Sequence, residues 1–288
     1  MPYRRYVRGY RMTKSAVSIL FASIVSCMAM PAAAQQALGS TIAPEEPDDS
    51  GGVSGFVAVG GAVQPQYEGS DEYQLGPFAL ANLEWRGMEL QLRGLRARVD
   101  LFADSPLQFG PAISRRQRRN DRDTPFPLSR LPDVKAAFEV GGYVGYRFGG
   151  DARGRGETAF DLTVLQDVSD AHDGLVATAQ VSYAVVRSGR FFADVDAQVS
   201  YGTGKFMRTY FGITPAQAAA SGIAAYDIGS GLRDVAAGTT LGYQFNERWG
   251  LLGRIGASRY IADAQDSPVV ALSSKIQVTS GVGVTFRF

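Results

Sequence analysis

The chain has one histidine, His172, and it stands among acids in Ser169-Asp170-Ala171-His172-Asp173-Gly174. A histidine beside a carboxylate is the base of a hydrolytic dyad, so Asp170/His172 or Asp173/His172 is where one would be sought. No defined nucleophile accompanies it, and Asp-Gly just before a strand start is also a plain turn signal. The reading is of a protein that is not an enzyme, with no catalytic residue, metal site or cofactor. A second group is basic. Arg115, Arg116, Arg118, Arg119 and Arg122 crowd one short stretch, and the guanidinium fork suits bidentate phosphate contacts. The alternative is a solvated loop. A third group is a series of single charges within alternating segments: Glu89, Arg93, Glu139, Arg147, Asp161, Asp167, Asp194, Asp196, Asp234, Arg254 and Lys275. Charges on one face of successive strands can pair across a narrow space or line a wet one.

Composition limits the choices. Lys plus Arg is 29 and Asp plus Glu is 28 in 288 residues, without the basic excess of a nucleic-acid binder. One Cys excludes an internal disulfide framework and Cys-cluster metal sites. The 34 Gly, with plentiful Val, Phe and Tyr, lean towards β structure. The N-terminus is a separate matter. Arg4, Arg5, Arg8, Arg11 and Lys14 precede an apolar run over 16–30 and a small-residue site at Ala32-Ala33-Ala34, the pattern of a secretory signal peptide over residues 1–34. Either Met1 or Met12 can start it. Cleavage would remove five bases, no acid, and Cys27, leaving a mildly acidic exported chain. Residues 35–52 carry Pro44-Glu45-Glu46-Pro47-Asp48-Asp49 and read as a disordered periplasmic lead-in.

From residue 53 to 288 the sequence alternates in blocks of strand length. Ile276, Val278, Val282, Val284, Phe286 and Phe288 share one face of the last block; Gln277, Thr279, Gly281, Gly283, Thr285 and Arg287 share the other. The same alternation recurs around Phe138–Phe148, Phe191–Tyr201 and Val235–Phe245. A soluble sandwich alternates too. Here, however, the blocks exceed the usual soluble strand, and aromatics gather at their ends as in interfacial girdles. A sheet in lipid must close, because an open edge leaves backbone groups unpaired. The expected fold is all-β: a closed antiparallel transmembrane β-barrel of about twelve strands, with short periplasmic turns and longer outer loops. The 88–102 hairpin has Gly94 as its only turn signal, and without it the count is ten. Val284, Phe286 and Phe288 would be the C-terminal barrel-assembly signal, and the location a Gram-negative outer membrane, with lipid as the surrounding partner. In that setting the arginine cluster would meet lipopolysaccharide phosphates.

The long segment 204–232 contains a helix start. Thr214 is placed as N-cap, Pro215 as N1 and Gln217 as N3 of a capping box, with Gly222 to end the turn. It is expected to fold over the mouth as a lid, with Tyr210 and Phe211 packing on the rim.

Several segments resemble the MipA/OmpV family of outer-membrane proteins, named for a protein that interacts with a lytic transglycosylase. They are Pro65-Gln66-Tyr67-Glu68-Gly69-Ser70; Tyr210-Phe211-Gly212-Ile213 with Pro215-Ala216-Gln217-Ala218; Ser221-Gly222 with Tyr226; Tyr260-Ile261-Ala262-Asp263 leading to Asp266-Ser267-Pro268; and the closing Phe286-Arg287-Phe288. The resemblance implies an outer-membrane barrel. It also implies one of several roles: a scaffold joining a lytic transglycosylase to a murein synthase, an adhesin acting through the outer loops, or an osmotic-response porin; the charged inward face by itself suggests a small-solute channel gated by the 204–232 loop. It supplies no catalytic residues.

Overall fold

The computed structural model describes residues 52–121 and 124–288. The expected signal peptide and nearly all of the lead-in lie outside the described residues, as does Arg122. Twelve strands follow in chain order: β1 (Ser54–Pro65), β2 (Tyr73–Trp85), β3 (Met88–Arg93), β4 (Arg96–Asp100), β5 (Leu107–Arg116), β6 (Ala137–Gly149), β7 (Glu157–Asp167), β8 (Leu175–Arg187), β9 (Phe191–Gly202), β10 (Gly231–Gln244), β11 (Trp249–Tyr260) and β12 (Ile276–Arg287). Each pairs antiparallel with its sequence neighbours, and β1 closes on β12 from Phe56↔Arg287 to Val63↔Ser280. Every strand therefore has two neighbours, as a sheet in hydrocarbon requires.

The hairpin with the weak turn signal is present. Gly94, at φ 60°, turns β3 into β4, a conformation that glycine adopts at little cost. The β3–β4 pairing from Glu89↔Asp100 to Arg93↔Arg96 settles the count at twelve rather than ten.

The period-two pattern assigns the faces as the sequence implied. Val140, Val144, Leu162, Val195, Val235, Leu241, Leu251, Val282 and Val284 are exposed on the outside, where lipid would meet them. Aromatic side chains meet at strand ends: Tyr146 with Phe148, Tyr243 with Phe245, Trp249 with Phe286, and Phe286 with Phe288. Inward positions hold the charges and amides, with Glu139, Asp161, Asp194, Asp196, Arg93 and Arg254 all buried. Lys275 is a correction. It is exposed and precedes β12, because the chain there is still leaving a helical turn and the last strand begins only at Ile276.

The two ends differ. Turns 86–87, 188–190 and 245–248 lie with the described chain ends at one rim, the periplasmic one by the rule that periplasmic turns are short. The other rim carries 117–136, 203–230 and 261–275. These contain α1 (Gly204–Phe211), α2 (Pro215–Ser221), α3 (Ala262–Gln265), α4 (Pro268–Ala271) and a 3₁₀ turn at Leu128–Arg130.

Candidate functional site

The outer mouth gathers the most buried charges of the barrel. Arg116, at the top of β5, binds Glu139 of β6 (Nε to Oε1, 3.0 Å) and Glu68 of the β1–β2 loop (Nη1 to Oε2, 2.9 Å). Arg233 of β10 approaches the same carboxylate from a distant part of the wall. Its Nη1 stands 2.9 Å from Glu68 Oε1, a charge contact whose angle falls short of a hydrogen bond, and it also pairs with Asp234. Glu68 thus ties two arginines whose strands are five places apart around the barrel. All five groups are buried, and charges removed from water hold together only when paired and hydrogen-bonded.

His172 belongs to this layer and not to a dyad with its sequence neighbours. Its Nδ1 accepts from the Gly174 N–H at 3.0 Å, so Nε2 carries the hydrogen that faces Glu139 Oε1 at 3.2 Å. Asp170 and Asp173 are exposed. The loop is organised instead by Asp167, whose carboxylate accepts the backbone N–H groups of Ser169, Ala171, His172 and Asp173.

α1 roofs this layer. Phe206, Met207, Tyr210 and Phe211 are its buried residues. The Phe206 ring takes the guanidinium of Arg116 at 4.9 Å and that of Arg233 at 5.5 Å, with the His172 ring edge-on at 5.0 Å. Guanidinium over an aromatic face is attractive, more so when desolvated. Glycine permits the approach. A Cβ at Gly174 would lie 2.5 Å from Phe206 N, and one at Gly202 2.7 Å from Phe206 Cδ1. Phe211 packs edge-on against Tyr260 at 5.3 Å. Burial pushes the Tyr210 phenol above its ordinary pKa, so it stays neutral beside these charges.

The other loops lock the roof down. The carbonyls at the end of α1 lack partners within the helix. Arg119 Nη1 donates to Tyr210 O at 3.2 Å, and Ser267 Oγ to Phe211 O at 2.6 Å. Gly204 N donates to Ser230 Oγ at 2.7 Å, and Tyr226 Oη to Asp263 O at 2.7 Å. α2 forms from the box read in the sequence: Thr214 Oγ1 accepts from Gln217 N, Gln217 Oε1 accepts from Thr214 N, Pro215 is at N1, and Gly222 closes at φ 77°. Beneath α2, Ile213, Ile223, Leu128, Leu131 and Val269 make one apolar cluster across all three loops. Thr214, Pro215 and Gln217 therefore shape the roof from outside, whereas Tyr210 and Phe211 face the barrel. Sequence reasoning missed Phe206 and Arg233, whose partners lie far away in the chain.

The five arginines do not form one surface. Arg115 pairs with outward Phe138 and Arg116 with inward Ala137, so adjacent residues on β5 part to opposite faces. Arg119 is buried under α1, Arg118 is exposed, and Arg122 lies outside the described residues. Among the described members, Arg115 and Arg118 are the two that are not buried.

Side chains occupy the lumen below the mouth as well. Arg254 of β11 grips Asp196 of β9 with both terminal nitrogens (2.7 and 2.9 Å) and Thr240 between them (2.7 Å). Arg98 holds Asp161 at 3.0 Å with its guanidinium 4.2 Å over the Tyr143 ring. In the lower half Phe56, Phe78, Leu80 and Leu252 form an apolar cluster that Phe192 joins. Phe78 lies over Gly281 and Gly283, and Phe192 over Gly242, where a Cβ would fall 1.9 Å from the ring.

Fold and site together define an outer-membrane β-barrel, roofed at its outer end by α1 and with charged, amide and apolar side chains buried along its interior. The family model described as MltA-interacting protein MipA matches residues 57–288. The chain belongs to this family. No curated protein matches it. Among solved structures it is similar to a bacterial polysaccharide outer-membrane secretin, with 12% identity over 81% of this chain and 98% of that one, TM-score 0.38. An outer-membrane channel from Pseudomonas putida F1 gives 10% identity, 85% and 100% coverage and TM-score 0.40. An anion-selective porin from Comamonas acidovorans gives 11% identity, 82% and 98% coverage and TM-score 0.31. The closed strand order, and not these distant likenesses, carries the fold.

Proposed function

We propose that the protein is a closed, non-catalytic barrel that serves as an outer-membrane adaptor, holding a lytic transglycosylase, and through it a murein synthase, at the periplasmic face. The observation that supports the closed barrel is the set of side chains buried beneath the roof and along the interior. A barrel roofed by α1 over Glu68, Arg116 and Arg233, and packed with Phe78 and Phe192 lower down, is built to stay shut. The family's name supplies the class of partner. Periplasmic turns and the acidic lead-in are the surfaces available for it. Cross-linking in intact envelopes tests this: transglycosylase is expected in the cross-linked product, and must vanish from it when turns 150–156 and 245–248 and the lead-in are replaced by Gly-Ser. Recovery of outer-surface ligands alone, with no murein enzyme, would sink the adaptor and favour the adhesin role.

The second reading, a small-solute channel gated by loop 204–232, is favoured by the charged middle of the lumen, where Arg254–Asp196 and Arg98–Asp161 lie. Lipopolysaccharide phosphates remain the proposed outer contact, through Arg115, Arg118 and Arg122. Changing all three to Gln should reduce the lipopolysaccharide retained on purification; unchanged retention rules the contact out.

A further inference from the structure

The barrel wall is not equally tall all round. β3 and β4 span 6 and 5 residues, against 10 in β5 and 14 in β10. β3 pairs only with Leu80–Trp85 of β2, and the bond from Gly94 N to Ala79 O lies just above that seam. Higher up, residues 73–78 of β2 have a partner strand on the β1 side alone. Backbone groups alternate in direction along a strand, so the bond at Ala79 means that Pro77 and Leu75 also point at the missing neighbour. Pro77 has no N–H to leave unpaired there, which is how edge strands accommodate proline. Leu75 is 84% exposed, against 61% for outward Val59 on the complete side of the wall. Among the described residues the wall therefore has a lateral gap between the β2 edge and the chain leaving β5, with the Gly94–Leu95 turn as its sill. An open edge in hydrocarbon costs several kcal/mol per unpaired group, so such a gap persists at the head-group level or where polar groups pass.

At the sill, Arg93 and Arg96 sit directly opposite each other on β3 and β4. Like charges so placed weaken a sheet. Arg93 sends Nη1 to the carbonyls of Ala81 and Leu92, both at 2.9 Å. Arg96 forms no ion pair among the described residues, and its buried Nε has no hydrogen bond. The charges that act on it most are Glu139, Arg116, Arg233 and Arg98, three cations and one carboxylate. That carboxylate is already held by Arg116 and His172.

We propose that this gap is a lateral port at which an anionic amphiphile from the outer leaflet seats its head group on Arg96, leaving its acyl chain in the bilayer beside Leu75 and Pro77. A carboxylate or phosphate head matches the guanidinium fork. The proposal does not depend on the adaptor reading, and either can fail alone.

A photoreactive fatty acid, diazirine on the chain and carboxylate free, tests it on the whole refolded protein in phosphatidylcholine vesicles, with the neutral methyl ester as control. The acid is expected to label the β2 edge at residues 73–78 at least about tenfold more than the ester does, because a charge-assisted contact is worth a decade or more. Arg96→Gln should remove that excess and Arg96→Lys should keep most of it, with an unboiled gel confirming that each variant is folded. If the glutamine variant fails to fold, the acid-to-ester ratio on the unaltered protein decides. Equal labelling by acid and ester would overturn the port, as would adducts scattered over all lipid-facing strands or confined to the lumen.

Discussion

Replacing Glu68 by alanine should destabilise the mouth by about 3 kcal/mol, the lower end of the range for breaking a buried ion pair. The lower end applies because Arg116 keeps Glu139 and Arg233 keeps Asp234. The substitution removes the carboxylate that joins them, so two guanidiniums are left facing each other under the same Phe206 ring. Their repulsion should lift the roof. The temperature at which the folded band disappears on an unboiled gel should fall. Glu68→Gln, which keeps the volume and loses the charge, should fall between the two. A Glu68→Ala variant as heat-resistant as its parent would show that the two arginines do not need the bridge.

Phe206→Ala should act on the roof and leave the wall. Truncating a buried Phe costs about 3–5 kcal/mol, and this ring packs against Arg116, Arg233, His172 and Tyr210. None of the ladder bonds between strands depends on it. The effect should therefore appear as local opening of 203–230, with global unfolding little changed. About 3 kcal/mol corresponds to roughly a hundredfold larger open population. Trypsin reports it, since Lys205 and Arg208 lie within α1 and are cut only when that helix unwinds. Cleavage there should accelerate by about two orders of magnitude. An unchanged cleavage rate would mean that Phe206 does not hold the roof.

The parts of this molecule legible in the sequence are those that depend on neighbours in the chain. Alternation separated lipid-facing Val282 and Val284 from inward Gln277 and Thr285, because the side-chain period of a strand is two whatever the fold. The box at Thr214 and Gln217 was equally plain, since both of its bonds are local. Closure decided the rest. Glu68 meets Arg233 because of how the closed, staggered wall brings distant segments to one level, and a run of residues says nothing about that stagger. The arginine cluster misled for a related reason. Crowding in sequence suggested one basic surface, yet the same alternation sends Arg115 out and Arg116 in. α1 had no capping signature to announce it: Thr203 makes no cap bond, and its hydroxyl instead accepts from Leu175 N at 2.8 Å.

Single-channel recording on the refolded barrel in a planar bilayer tests the closed lumen most directly, with an unboiled gel to verify folding. The roof over Glu68 and the side chains buried along the interior below it predict a folded but silent barrel. Stable, discrete openings in the unaltered protein would contradict a closed lumen and put the gated channel in its place.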